Sequence, residues 1–334
     1  MNAHGVVKAG VRVDAMVRSS QSRSGMVEAR LICTDLAGLK SQALGLAEAA
    51  GLTPDIRPLR FRAPWRRVPT NFWFNPRWAV DSSLFAGPLP PVVIGAGGAG
   101  ARVAAALRGR DVRAVVVQHP RMALSRFDAV LAGRHDGIEG ANVIVTRTAL
   151  HRVTPQRLAA ARSVWAPRFA HLPTPLVAVL LGGSNGRYRF ELNEARALTD
   201  QLATMLRQGI GVAITPSRRT SAAVVALLRE VLGPLGAYIW DFTGENPYFG
   251  MLACADTILV TADSVSMVSE AVATSAPVLL VRLPGKSTRI GAFMDALRHD
   301  GRVRDFAGRL EMWDTAPLDD TEWAGRELRR RLGL

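Results

Sequence analysis

The sequence predicts an α/β protein of two Rossmann-like, doubly wound domains facing a central cleft. Three observations predict it. Apolar runs of strand length alternate with helical stretches, the pattern of parallel sheets with crossover helices. The alternation pauses at a proline-spaced stretch, Trp165 to Pro175, and then restarts. A chain of 334 residues also exceeds the roughly 100–200 residues of one ordinary domain. The expected division is a flexible basic tail (1–28), a first domain (29–165), a second domain (176–320) and a C-terminal helix (321–334). The intervening stretch would be the interdomain linker.

The elements follow in order. Residues 1–26 show no periodicity and are rich in Ser, Gly and Arg, as a solvated tail is; Met26 could be the start of the folded protein. Ala29 to Thr34 reads as a buried strand, followed by a helix ending near Gly51. Val92 to Ile94, a glycine loop and Ala101 to Leu107 make strand, turn and helix. Further first-domain strands are Val112 to Val117, Phe127 to Ala132 and Asn142 to Thr146. Second-domain strands are Leu176 to Leu181, Gly211 to Thr215, Ala237 to Trp240, Thr257 to Val260 and Pro277 to Val281. Helices are expected at 191–207, up to Leu232, at 265–274, near 290–299 and at 321–332.

Composition excludes several classes. At 48% apolar and 21% charged residues the chain is neither collagenous nor wholly disordered. No run approaches the roughly 18 apolar residues of a membrane span. The N-terminus lacks the apolar core of a secretory signal. Cys33 and Cys254 offer neither a disulfide framework nor metal-knuckle spacing. The expected setting is cytoplasmic, with peripheral attachment at the inner face of a membrane. The net charge is +14, and all the basic residues except Lys8, Lys40 and Lys286 are arginine. Much of the excess is local. Residues 57–78 hold six arginines and no acid, a field suited to an anionic surface.

Gly95 to Gly100 fits G-x-G-x-x-G between a strand and a helix, the context of a dinucleotide fingerprint. That fingerprint also needs an acid at the end of the next strand to hold the ribose. Here the next strand ends in Gln118-His119-Pro120. A tight turn lining a cleft accounts for the loop better than NAD does.

The second domain is more informative. Ligands of open α/β sheets bind at the carboxyl ends of strands, and four such ends are polar. They carry Gly182, Gly183, Ser184 and Asn185; then Ser217, Arg218, Arg219 and Thr220; then Asn246 and Tyr248; then Asp263, Ser264, Ser266, Met267, Ser269 and Glu270. Small residues ahead of a helix expose N–H groups to an anion. Arg218 and Arg219 can meet phosphate oxygens, and Glu270 can accept two ribose hydroxyls. The set suits a nucleoside diphosphate. Each part also has a plain structural reading: a helix cap for Ser264 or Ser266, a turn for Asn246-Pro247, a solvated helix position for Glu270.

These residues carry a resemblance. The run from Tyr238 to Pro284 closely resembles the mitochondrial fission, or elongated-mitochondria (Elm), family of plants and bacteria. So do Ser217 to Thr220, Phe127-Asp128, His135-Asp136, Val143 to Thr154, Thr34-Asp35 through Gln42, and Gly45 to Ala49. The resemblance covers about residues 29–333. The family looks like two-domain GT-B glycosyltransferases, akin to the lipid-linked N-acetylglucosaminyltransferase of peptidoglycan synthesis. In that relative a Gly-Gly-Ser loop and a Ser-Glu helix start hold diphosphate and ribose. The resemblance implies those roles for Gly182, Gly183, Ser184, Ser266, Met267, Ser269 and Glu270. The loop at 95–100 departs from the family, where a more basic sequence is expected.

In residues 57–78 the arginines interleave with Phe61, Trp65, Phe72, Trp73, Phe74 and Trp78. Aromatic rings among arginines suit an anionic headgroup layer, or a core with solvated arginines around it; single-stranded nucleic acid is the weaker fit. Four prolines exclude a regular helix. The expected membrane or acceptor surface is Arg62, Trp65, Arg66, Arg67 and Trp73. For the chemistry, sugar would pass from a nucleoside-diphosphate donor to an acceptor hydroxyl, lipid- or envelope-linked, with no cofactor. No Asp-x-Asp stands ready for a metal-bound diphosphate, so arginines and helix dipoles would replace the cation. Base candidates at first-domain strand ends are Asp35, His119, His135 and Asp136. A non-catalytic membrane-associated relative and an NAD-dependent epimerase of nucleoside-diphosphate sugars are the alternatives.

Overall fold

The computed structural model describes residues 27–334. The expected basic tail lies almost wholly outside the described residues. The described residues form two parallel six-stranded sheets, each with helices packed on its faces.

The first sheet contains β1 (Glu28–Cys33), β2 (Thr53–Pro58), β3 (Val92–Ala96), β4 (Arg113–Val117), β5 (Ala129–Gly133) and β6 (Val143–Thr146). Its strand order is β2-β1-β3-β4-β5-β6. Its helices are α1 (Ala37–Ala49), the single turn α2 (Pro76–Ala79) and α3 (Gly97–Leu107). The strands read as near-continuous Val, Ile, Leu and Ala because helices cover both faces. The exception is β2, which the sequence pattern does not reveal. Its Pro54 and Pro58 cannot donate to a ladder, and β2 is an edge strand, where prolines are tolerated.

The second sheet runs β12-β11-β10-β7-β8-β9. Its elements begin with α4 (Pro155–Phe169), β7 (Leu176–Leu181), α5 (Leu192–Arg207), β8 (Gly211–Pro216), α6 (Ala222–Leu232) and β9 (Tyr238–Ile239). They continue with α7 (Tyr248–Cys254), β10 (Thr257–Thr261), α8 (Val265–Val272), β11 (Val278–Val281), α9 (Thr288–His299) and β12 (Val303–Asp305); α10 (Thr321–Leu332) follows and returns to the first domain. Side-chain caps start several helices: Thr154 for α4, Ser221 for α6, Ser264 for α8 and Ser287 for α9. In each sheet the winding direction reverses once, between β1 and β3 and between β7 and β10. Those are the positions where open α/β sheets leave a crevice for ligands.

The linker expectation needs correction. Trp165 to Phe169 is not a linker but the last turn of α4. Trp165 and Phe169 are buried in the second domain's core with Met251 and Leu252 of α7. Pro167 does not break the helix: it sits two residues from the end of α4, within it. The chain instead crosses between domains over residues 147–154 and returns near 318–321. The two crossings touch. The Arg147 guanidinium pairs with Asp320 at 2.5 Å, and the His151 backbone N–H donates to Thr321 Oγ1 at 3.2 Å. His151 Nε2 lies 3.3 Å from Asp319 Oδ1. The return leads into α10, which packs on α1 and places Ala324 and Leu328 in the first domain's core.

Candidate active site

The carboxyl edges of the two sheets meet across a cleft of about 230 Å³. The first domain contributes Gln42 of α1, Gln118 after β4, and His135 and Asp136 after β5. The second contributes Arg187, Arg219, Asp263, Ser264, Ser266 and Arg289.

The second-domain wall is built around one buried carboxylate. Asp263 has a side-chain exposure of 0%, and Arg219 Nη1 meets its Oδ2 at 2.7 Å. The Gly183 N–H donates to the same oxygen at 3.4 Å. Position 182 must be glycine, because a Cβ there would stand 2.1 Å from Asp263 Oδ1. The loop after β8 locks onto the loop after β7. Ser217 Oγ donates to Gly182 O at 2.9 Å, Thr220 Oγ1 donates to the same carbonyl, and Arg219 Nη1 donates to Gly183 O at 3.2 Å. Ser184 and Asn185 turn inward to their own loop, Ser184 toward Glu191 and Asn185 toward the N–H groups of Arg187 and Tyr188. Ser264 caps α8 by accepting from the Met267 N–H at 3.3 Å.

Glu270 is neither solvated nor open. It is 7% exposed, Ser41 Oγ donates to its Oε1 at 2.9 Å, and Tyr248 Oη donates to its Oε2 at 2.5 Å. Burial lifts its carboxyl above the ordinary range, against the opposing pull of the two hydroxyl donors. Burial and the neighbouring Glu270 charge push the Tyr248 phenol well up. The same face of α8 continues the contact: Gln42 Nε2 donates to Ser266 Oγ at 2.9 Å, and the Ala149 N–H donates to Ser269 Oγ at 2.9 Å. Asn246 is exposed and accepts the Tyr248 N–H.

Of the first-domain base candidates, His135 and Asp136 line the cleft, and Asp35 and His119 do not. Asp136 is held by Arg289 of α9, with Nε to Oδ1 at 2.5 Å and Nη2 donating to Oδ2 at 3.1 Å. His135 stands edge-on to Phe293 at 5.2 Å, and both of its ring nitrogens are buried with no hydrogen-bond partner among the described residues. Burial pushes its pKa down, with Arg289 acting in the same direction and Asp136 against it. Asp35 is 84% exposed and pairs with Arg218 across the domains at 3.2 Å. His119 is a turn residue whose Nδ1 accepts the Arg121 N–H.

The loop at 95–100 is explained by packing. A Cβ at Gly95 would meet Gly100 O at 2.3 Å, and one at Gly100 would meet Ile32 O at 2.6 Å. Those glycines let α3 lie directly on β1 and β3. β4 is followed by Gln118, whose Nε2 donates to Gln42 Oε1 at 3.2 Å, so an amide stands where a dinucleotide site needs an acid.

The expected membrane surface also needs correction at one position. Trp73 is 4% exposed, donates its Nε1–H to Val68 O at 3.1 Å and packs edge-on to Phe61. It belongs to the first domain's core, with Trp65 half-buried against the same cluster. The segment's exposed aromatics are Phe72, Phe74 and Trp78, while Arg62, Arg66 and Arg67 are exposed as expected.

The family model for mitochondrial fission ELM1 matches residues 37–332, nearly the whole described chain. The chain belongs to the mitochondrial fission ELM1 family. The mitochondrial fission protein ELM1 of Arabidopsis thaliana is 36% identical over 273 residues, which cover 73% of this chain. This chain spans 64% of that relative's length. The UDP-GlcNAc 2-epimerase of Methanocaldococcus jannaschii, solved with UDP-GlcNAc and UDP, has a TM-score of 0.55 at 14% identity, over 92% of this chain and 99% of that one. The glycosyltransferase SnogD of Streptomyces nogalater has a TM-score of 0.51 at 16% identity, over 92% and 95%. The ELM1-family chain therefore has the two-domain GT-B architecture.

Sequence reasoning missed Gln42, Gln118, Arg187 and Arg289 in this ELM1-family cleft. Arg289 had a usable signal, since it follows the Ser287 cap at the start of a helix. Gln42 had none, because it lies inside α1 and is brought to α8 only by the domains' contact.

Proposed function

We propose that this chain binds a nucleoside-diphosphate sugar in the interdomain cleft and transfers the sugar to an acceptor hydroxyl, lipid-linked, without a metal. The observation that carries this reading is the convergence of both carboxyl sheet edges on one cleft walled by Arg187, Arg219 and Arg289. Arginine guanidinium groups suit diphosphate oxygens geometrically, and their charge can stabilise a departing diphosphate. The start of α8 adds the positive end of a helix dipole. The shared architecture with an epimerase solved with UDP-GlcNAc and UDP, and with a glycosyltransferase, supports the donor class.

His135 is the assigned base. The cleft's two carboxylates are each held by an arginine, whereas the imidazole has no hydrogen-bond partner among the described residues, and burial lowers its pKa, which favours the proton-accepting form. One observation favours a second reading, a GT-B protein that no longer catalyses: the Glu270 carboxylate is already taken by Ser41 and Tyr248.

Calorimetry of the full chain with a panel of nucleoside diphosphates, their sugars and NAD tests the proposal. A nucleoside diphosphate should bind, and Arg219→Ala should weaken it at least about tenfold, the equivalent of ~1.4 kcal/mol. Heat with NAD alone, or none with any diphosphate, overturns it. Binding with no turnover of the bound sugar selects the second reading.

A further inference from the structure

The segment between β2 and β3 presents a surface that the cleft does not use. Phe72 is 61% exposed, Phe74 89% and Trp78 60%. Large apolar side chains scattered singly on a surface need no explanation, but three within seven residues do. They stand on a rigid base. Leu59, Trp73, Ala79, Val80 and Leu84 are buried against Ile32, Val93 and the apolar side of α3. Asn75 caps the short α2 by accepting the Arg77 N–H at 3.0 Å, which fixes the turn between Phe74 and Trp78. The buried Trp73 and the exposed rings on either side of it are thus two faces of one short loop.

The charge around these rings is mostly positive. Arg62, Arg66 and Arg67 are exposed and, among the described residues, make no ion pair. Arg77 covers the Phe85 ring at 4.5 Å, and Arg102 Nη2 reaches Asn71 Oδ1 at 3.4 Å. The one acid in the segment, Asp81, accepts the Ser83 N–H at 2.9 Å and lies near Arg60 and Arg62. Apolar rings projecting from an arginine collar match a bilayer interface on both counts: rings enter the acyl boundary, and guanidinium groups meet lipid phosphates.

We propose that Phe72, Phe74 and Trp78 insert into the surface of an anionic bilayer, with Arg62, Arg66 and Arg67 binding its phosphates. The loop's position gives the contact a purpose. Thr70 Oγ1 lies 3.5 Å from where a Gly98 Cβ would stand, so the loop sits at the start of α3, on the carboxyl edge of the first sheet. That edge forms one wall of the cleft. The docked surface therefore sets the first domain's half of the cleft beside the bilayer, where a lipid-borne acceptor would arrive. Only this last step rests on the transferase reading; the docking itself does not.

The test is co-sedimentation of the full chain with vesicles of phosphatidylcholine alone or mixed with phosphatidylglycerol. Binding should need phosphatidylglycerol and weaken with salt. Phe72→Ser/Phe74→Ser/Trp78→Ser and Arg62→Gln/Arg66→Gln/Arg67→Gln should each lower it at least tenfold, while Trp323→Ser on α10 should leave it unchanged. Circular dichroism melts check that each variant is folded. Unchanged vesicle binding in the aromatic variant, or none by the parent chain, overturns the proposal. Loss of single-stranded DNA binding in these variants without any vesicle binding overturns it in favour of nucleic acid. Calorimetry with nucleoside diphosphates should be unaltered in both variants. Vesicle binding that persists where no diphosphate binds removes the transferase reading and leaves the docking surface standing.

Discussion

Ser41→Ala tests the contact that joins α1 to α8. The Ser41 hydroxyl donates to Glu270 Oε1 at 2.9 Å, and the carboxylate is 7% exposed. A hydrogen bond to a charged group contributes about 1.5–3 kcal/mol, and a buried carboxylate that loses one cannot turn to water. The variant should therefore lose about 1.5–3 kcal/mol in urea unfolding. Glu270→Gln removes the charge that makes the bond strong, so Ser41→Ala should cost much less in that background. The double-mutant cycle should show a coupling of about 1 kcal/mol or more. The pH dependence supplies a second reading. Burial has raised the Glu270 carboxyl above its ordinary 4.5, so the folded state holds this proton more tightly than the unfolded state does. Its contribution is complete below that ordinary value and is lost as pH rises through the raised one; Glu270→Gln should remove that slope. A Ser41→Ala chain within about 0.5 kcal/mol of the parent, with no coupling, would refute the contact and with it the closed arrangement of the two domains.

Gly182→Ala drives a Cβ into the buried Asp263 carboxylate, and should cost about 1–3 kcal/mol as overpacking does while also weakening diphosphate binding. Gly186→Ala, with nothing among the described residues within 4 Å of its Cβ, is the control and should change stability little; urea unfolding and calorimetry read both. His151 is 1% exposed, and burial depresses its pKa below 6.5, with the Asp319 charge opposing. The unfolded chain takes up that proton more readily, so this stability is complete above the unfolded value and is lost as pH falls through the folded one. His151→Gln should flatten the decline of the urea midpoint below pH 6.5, and an unaltered decline would count against a neutral buried imidazole.

The sheets were largely legible, because strands covered on both faces by helices must be apolar throughout. Leu176 to Leu181 appears in the sequence as it does in the fold. β2 was not legible, since its proline-containing segment carries no apolar run, and an edge position tolerates that. The second domain's loops were legible as polar strand ends, but their contacts were not. Glu270 could be placed on the first turns of a helix, yet its burial depends on Ser41, 229 residues away. Periodicity reports which face of an element is apolar; it does not report which element from the other domain will cover it. The aromatic segment shows the same limit within seven residues. Trp73 and Phe74 are adjacent and chemically alike, and only the packing of the loop sends one inward and the other out.

The return of α10 to α1 bears on how the chain matures on a ribosome. The first domain's core is incomplete until Ala324 and Leu328 arrive. During synthesis of the whole second domain, the groove of α1 that receives them stays uncovered. The second domain's latest contributions, β12 (Val303–Asp305) and Leu318, precede α10, so its core is complete in the chain before the segment that closes the first domain. A chain released without residues 321–334 would carry all the strands of the second sheet and a first domain whose α1 surface is left uncovered.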